Sequence, residues 1–156
     1  MIQMKIRAAK IISSLFGTGF LKGGGTFAAG ITVIAWYFAA MVINQGRDLI
    51  FLLTTVLIIV IGVWTANLVE KDWGEDSHRV VIDESAGMCI SLLFLSPNIY
   101  SFLAAFLLFR FFDIVKPLYI RRMESLPRGW GVMADDVLAG IYTNLILGIV
   151  TRIKLH

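Results

Sequence analysis

The chain has 156 residues, the length of one domain, and its composition separates it from ordinary soluble proteins. Apolar residues make up 58% of the sequence and charged residues only 16%, whereas soluble domains have roughly 45–50% and about 25%. The net charge of +3 is small, and the basic residues are scattered among apolar runs, which argues against a nucleic-acid partner and favours a membrane with anionic headgroups. The single cysteine, Cys89, excludes an internal disulfide and a thiolate metal site.

The first half of the chain predicts a hairpin of two membrane helices. Residues 27–43 carry no charge, and residues 49–69 form a second uncharged run, long enough for a bilayer core that needs about 20 residues. The short polar turn between them contains Gly46. Glycines 23–25 precede the first run, where their backbone N–H groups suit a phosphate at a helix N-terminus; a flexible entry to the membrane helix explains them equally well.

The second half alternates polar and apolar segments. A polar insert covers residues 70–84, a second polar loop covers residues 116–136, and residues 137–150 form a last apolar segment. Between the polar segments, the apolar run 86–109 is divided at Pro97. Each half of that run is too short for a comfortable span, so one kinked helix, a re-entrant hairpin and two buried helices all fit.

These segments predict an all-α integral membrane helical bundle of about five to six helices, some of them short or re-entrant, in a single domain over residues 1–156. Basic residues concentrate in the N-terminus and in the two polar segments, which the positive-inside rule assigns to the cytoplasm. If the halves around Pro97 form a hairpin, most acidic side chains share that cytoplasmic face.

Six acidic residues at segment ends are candidates for a metal site. The pairs Asp83–Glu84 and Asp135–Asp136 precede apolar segments, where N-capping and dipole compensation, worth about 0.5–2 kcal/mol for a cap, would explain either pair alone. Two pairs on one face, joined by Glu70 and Asp113, are harder to explain as caps. Hard oxygen ligands without histidine or cysteine suit Mg²⁺.

A second pattern joins Arg110, Asp113 and Lys116, which step by three and would place the aspartate between two cations on one side of a helix. One interpretation is a local ion-pair ladder near lipid. The other gives Asp113 to the metal or to base catalysis and gives the two cations to a phosphate, since a guanidinium matches phosphate geometry. Pro117 is expected to end this helix.

Five sequence blocks follow one another along the chain: Ile11–Gly19, Thr65–Glu70, Val81–Met88, Phe109–Pro117 and Gly131–Gly140. In order and spacing, these blocks resemble those of the bacterial phosphatidylglycerophosphatase A family, and the resemblance runs from about Ala9 to Ile146. Where that family usually has Pro-Gly-Thr, this chain has Gly24-Gly25-Thr26.

The resemblance implies Mg²⁺-dependent hydrolysis of phosphatidylglycerophosphate to phosphatidylglycerol in the bacterial inner membrane, with the active site facing the cytoplasm. Phosphate binding is expected from Arg110, Lys116, Gly25 and Thr26. The expected catalytic residues are Asp113, Glu84, Arg110 and Lys116, with Glu84 the candidate base. The expected metal ligands are Glu70, Asp83, Asp113, Asp135 and Asp136.

Two other functions remain open at this point. The chain could be a phosphatase for another lipid phosphate, such as phosphatidic acid or a polyprenyl phosphate. It could also be a small non-enzymatic membrane carrier, although carriers usually place charge within their spans to line a path, and here the acidic residues stay at the segment ends.

Overall fold

The computed structural model describes residues 2–74 and 77–153, and within those ranges it contains helices and no strand. A single 3₁₀ turn, Thr18–Phe20, precedes α2. The all-α prediction is confirmed. The described residues hold seven α-helices rather than five or six, because the N-terminal segment is helical and the second polar loop contains one helical turn. The helices are α1 (Ile2–Ser13), α2 (Gly24–Val42), α3 (Arg47–Trp73), α4 (Ile82–Leu92), α5 (Ile99–Val115), α6 (Ile120–Met123) and α7 (Gly129–Ile153).

Within the described residues, three helices, α2, α3 and α7, are long and apolar enough to cross a membrane. The α2–α3 hairpin turns at Gly46, whose φ of 65° lies in the left-handed region that glycine adopts without strain. The last helix begins at Gly129 rather than near Val137, so Asp135 and Asp136 lie inside α7. The capping interpretation of this pair is therefore wrong.

The apolar run divided at Pro97 forms a hairpin of α4 and α5. At 1.5 Å per residue, the 11 residues of α4 extend only about 16 Å, well short of a bilayer core of about 30 Å. Glu84, at the start of α4, and Arg110, near the end of α5, line the same cavity. The chain therefore returns to the side from which it came, and charged residues before α4 and after α5 share one face.

The C-terminal end of α4 is held by a side chain from α7. Nδ2 of Asn144 donates hydrogen bonds to the carbonyl oxygens of Leu93, at 2.7 Å, and of Ser91, at 3.3 Å. The last carbonyls of a helix have no partner within that helix, and leaving them unpaired in an apolar environment is costly. Asn144 thus allows α4 to end among apolar side chains.

The helices α4 and α7 cross in direct backbone contact at Gly87 and Gly140. A Cβ on Gly140 would overlap the carbonyl oxygen of Gly87, and a Cβ on Gly87 would lie 2.5 Å from the carbonyl oxygen of Asp136. Small residues allow such close approach between membrane helices. Because Asp83 precedes Gly87 by four positions and Asp136 precedes Gly140 by four, this crossing brings the two carboxylates together.

Candidate active site

Three carboxylates from two helices meet at the charged face of the bundle. Asp83 and Glu84 lie in the first turn of α4, and Asp136 comes from α7. One oxygen from each lies within 4.8 Å of the others. Asp83 and Asp136 are only 8% and 3% exposed, so water screens their mutual repulsion poorly. We call these three residues the carboxylate cluster.

Several buried oxygens in and beside the cluster have no hydrogen-bond partner in the described part of the chain. Oδ1 of Asp83, Oε2 of Glu84 and Oδ1 of Asp136 are buried and have no hydrogen-bond partner among the described residues, and Oδ1 of nearby Asp135 shares this condition. Burial, followed by the charge of Glu84, raises the pKa of Asp83 well above its usual value. A cation would remove both penalties. Clustered carboxylate oxygens fit a hard divalent ion, so these residues could bind a metal.

An arginine–aspartate pair borders the cluster. Arg110 and Asp113, in the last turns of α5, form an ion pair with side chains that are 16% and 13% exposed. Burial raises the pKa of Glu84 and the charge of Asp113 adds to this effect, while the interaction with Asp83 and, to a smaller extent, the charge of Arg110 oppose it. Nε of Arg110 is buried without a partner among the described residues, and Arg110 also lines the cavity beside the cluster, where an anion could reach its guanidinium.

Lys116 does not continue the expected ladder with Arg110 and Asp113. Because α5 ends at Val115, Lys116 is the C-cap residue, in the left-handed conformation with φ of 48°. Its Nζ lies 2.6 Å from Oδ2 of Asp135 and 2.6 Å from Oε1 of Glu124. Burial disfavours the ammonium charge, but these hydrogen bonds outweigh it and raise the pKa of Lys116. The placement of Asp113 between two cations is therefore wrong.

The glycines at the start of α2 form one wall of a cavity of about 540 Å³ beside the cluster. Gly25 is packed so closely against Glu84 that a Cβ at that position would overlap Oε1 of the carboxylate. The helix has no side-chain N-cap, and although the N–H of Gly24 donates to the carbonyl oxygen of Leu21, the N–H groups of Gly25 and Thr26 are available to an anion. Thr26 is exposed and is not part of the lining. The lining consists of Phe20, Leu21, Lys22, Gly23, Gly24, Gly25, His78, Glu84 and Arg110.

Glu70 is the predicted ligand that the structure leaves apart from the cluster. It lies near the end of α3 and lines a different cavity, of about 390 Å³, together with Glu124 and Arg128. Asn67, one turn earlier, accepts a hydrogen bond from the backbone N–H of Gly129 at 3.0 Å and so ties the start of α7 to α3. Among the predicted metal ligands, the structure groups Asp83 and Asp136 with Glu84, and places Asp113 and Asp135 beside them.

Comparison with known proteins identifies the family to which the chain belongs. The phosphatidylglycerophosphatase A family matches residues 11–151, nearly the whole chain. The chain belongs to this family. The match includes α4, α5 and the part of α7 that carries the cluster.

Curated relatives of this phosphatidylglycerophosphatase A family member come from several bacteria. A Bacteroides thetaiotaomicron protein, provisionally named a phosphatidylinositol-3-phosphatase, is 43% identical over 86% of this chain and 91% of its own length. The Haemophilus influenzae phosphatidylglycerophosphatase A is 42% identical over 63% of this chain and 62% of its own length. The Escherichia coli phosphatidylglycerophosphatase A is 34% identical over 85% and 80%. No solved structure matches the chain.

Family membership makes the chain a phosphatase, and the expectation of an enzyme is confirmed. The alternative of a non-enzymatic carrier is therefore set aside. The described residues also include three helices that are long and apolar enough to cross a membrane. Together with the family, they indicate an enzyme that acts on a lipid at a membrane.

Sequence reasoning missed the glycines that assemble the site in this family member. The signal was present, since Asp83 and Asp136 are each followed four residues later by a glycine, Gly87 and Gly140. Two copies of this spacing place a carboxylate and a close-packing glycine on the same helix face. The spacing alone does not say which two helices cross.

Proposed function

We propose that the chain hydrolyses the terminal phosphate monoester of phosphatidylglycerophosphate, giving phosphatidylglycerol and inorganic phosphate, at the cytoplasmic side of a bacterial inner membrane. The observation that carries the proposal is the carboxylate cluster, whose buried oxygens lack partners among the described residues and adjoin a cavity containing Arg110. Membership of the phosphatidylglycerophosphatase A family supports this substrate.

The cluster would hold a divalent cation, which we assign as Mg²⁺. Asp83, Glu84 and Asp136 would be its protein ligands, with Asp135 and Asp113 near enough to take part directly or through water. When bound, such an ion polarises a phosphoryl oxygen and lowers the pKa of water. Few carboxylates with open positions suit Mg²⁺, which keeps several waters and is completed by substrate phosphate.

The protein's own groups bind the phosphate and move the proton. Arg110 offers its guanidinium to the phosphate and stabilises negative charge that develops in the transition state, while Asp113 orients it. Glu84 lies in the wall of the same cavity and belongs to the carboxylate cluster, so we assign it as the base that accepts a proton from the attacking water. Gly25 and the start of α2 border the phosphate end of the cavity.

Three of the predicted roles change with the geometry. Lys116 is already bound to Asp135 and Glu124, so we assign it to positioning Asp135 rather than to phosphate binding. Thr26 can contribute its backbone N–H at the start of α2, because its exposed side chain is outside the cavity lining. Glu70 lines the separate cavity and is not proposed as a ligand.

The test uses the full chain in detergent micelles and measures phosphate release from phosphatidylglycerophosphate with Mg²⁺ or with EDTA. Release is expected only with the cation. Asp113→Asn should fold normally but lose about 100-fold or more in kcat, the cost of disturbing a preorganised charge at the reaction centre. Asp48→Asn, in the exposed first turn of α3, is the matched control and should keep full activity. Near-normal turnover by Asp113→Asn would contradict its assigned role.

A second candidate substrate is phosphatidylinositol 3-phosphate, favoured by the 43% identical Bacteroides relative and its name. Both lipids carry a phosphate monoester on a headgroup joined to the lipid through a phosphodiester. Phosphate release should be compared across phosphatidylglycerophosphate, phosphatidylinositol 3-phosphate, phosphatidic acid and a polyprenyl phosphate. The highest kcat/KM for phosphatidylglycerophosphate supports the proposal, and a higher value for any other lipid overturns its specificity.

A further inference from the structure

The cavity beside the carboxylate cluster has a second basic group that the reaction described above does not use. Glu84 and Arg110 are half-buried members of its lining, whereas Lys22 and His78 are exposed. This difference in exposure indicates that Glu84 and Arg110 lie deep in the cavity and that Lys22 and His78 lie at its opening. An anion that enters from the membrane surface must pass these two side chains before its terminal phosphate reaches Arg110.

Lys22 differs from the basic residues that stabilise the fold. Lys10, Arg110 and Lys116 each pair with a carboxylate. In the described ranges, neither Lys22 nor His78 has a hydrogen-bond or ion-pair partner. A lysine ammonium beside a cavity and a histidine ring N–H both suit the oxygens of a phosphate.

Neighbouring apolar side chains set the depth of Lys22 relative to the bilayer. Phe20 and Leu21 directly precede it and are 61% and 56% exposed, although both are large and apolar. In a protein with membrane-grade helices, such side chains enter the boundary between headgroups and acyl chains. Lys22 would then lie at the level of the headgroups, where the phosphodiester of a phospholipid is found.

We propose that Lys22, assisted by His78, forms a subsite for the phosphodiester of the substrate lipid, while the carboxylate cluster and Arg110 take the terminal monoester. The enzyme would thereby select lipids that carry two phosphates separated by a short polyol, over lipids such as phosphatidic acid that carry one. This inference rests on the proposed function and adds a structural basis for its specificity, namely that the site would contact both phosphates of the lipid. The cavity of about 540 Å³ is within the range of small-molecule sites, about 300–1,000 Å³.

The experiment compares wild type, Lys22→Gln, Lys22→Arg and Lys5→Gln as full chains in mixed micelles. Two constants are measured for each: the apparent KM for phosphatidylglycerophosphate, and the inhibition constant for inorganic phosphate, which occupies the monoester end alone. Lys22→Gln should raise KM about tenfold, as expected for one lost charge-assisted hydrogen bond, with kcat and the phosphate constant unchanged. Lys22→Arg retains the positive charge and should therefore have a KM close to that of wild type. Lys5, exposed on α1 and outside the cavity lining, controls for a general loss of positive charge.

The outcomes separate this inference from the proposed function. An unchanged KM in Lys22→Gln, with an active wild type, overturns the phosphodiester subsite and leaves the phosphatase intact. An equal weakening of phosphatidylglycerophosphate and inorganic phosphate binding also overturns it, because Lys22 would then act at the monoester. A wild type without turnover of phosphatidylglycerophosphate refutes the proposed function itself. His78→Ala should change KM in the same direction as Lys22→Gln, by a smaller factor.

Discussion

Gly25 is the residue at which one added carbon would damage the site most directly. Its missing side chain leaves room for Oε1 of Glu84, which a Cβ would overlap. We expect Gly25→Ala to lower kcat at least tenfold, because the carboxylate must leave its position beside Arg110. Phosphate release under saturating Mg²⁺ measures the effect.

Gly30, one and a half turns further along α2, provides the control on the same helix. A Cβ there would meet only a ring carbon of Phe106, at 4.0 Å. Gly30→Ala should therefore keep its activity and, since alanine favours helix by about 1 kcal/mol over glycine, should not be less stable. Equal activities for the two variants would show that Glu84 can move without consequence.

The chemistry of individual residues was easier to predict than their partners. The acidic and basic types near segment ends correctly indicated a group of carboxylates beside an arginine. Two of the predicted site residues lie in places that the sequence did not indicate. Lys116 follows the last residue of α5, so the helical step of three no longer applies to it. Glu70 shares the charged face, but α3 directs it into a different cavity.

The crossing of α4 and α7 is the element-scale feature on which the cluster depends. A methyl group on Gly140 would overlap the carbonyl oxygen of Gly87, so Gly140→Ala must separate the helices and draw Asp136 away from Asp83. We expect a loss of about 1–3 kcal/mol in stability, as for other overpacked contacts, together with weaker stabilisation by Mg²⁺. Thermal unfolding in detergent with Mg²⁺ and with EDTA measures both.

Gly148 lies further along α7, and a methyl group at this position would have no neighbouring atom within 4 Å, so Gly148→Ala is the matched control. Its unfolding temperature should equal or exceed that of wild type, since alanine favours helix over glycine, and its response to Mg²⁺ should equal that of wild type. If Gly140→Ala behaved in the same way, the crossing would not be responsible for holding the cluster.

Element boundaries show why the sequence left the topology open. The long uncharged runs predicted α2 and α3, because only a helix satisfies its own backbone across a bilayer. The run around Pro97 allowed three arrangements, and hydropathy could not choose among them. The hairpin depends on Asn144, more than forty residues away, which pairs with the backbone at the end of α4. Contacts of this kind have no local signature.

At the scale of the whole molecule, the orientation in the membrane is the property to test. Lysine and arginine gather at the end that carries the cluster, whereas the described part of the opposite end carries Arg47, at the start of α3, and Arg152, in the last turn of α7. In a Cys89→Ala background, Gln45→Cys should react with a membrane-impermeant maleimide on spheroplasts. Arg121→Cys should react only after lysis. Both positions are exposed, so a reversed pattern would place the active site outside the cytoplasm.

The contact between Asn144 and the end of α4 has a consequence for biogenesis. During synthesis, the α4–α5 hairpin is made before α7, which carries Asn144. Until α7 is made, the carbonyl oxygens of Ser91 and Leu93 lack the hydrogen bonds that Asn144 donates. The nascent hairpin should therefore remain near the lipid surface until the last helix is inserted. A chain truncated before that helix is expected to be recognised as incomplete and degraded by membrane proteases.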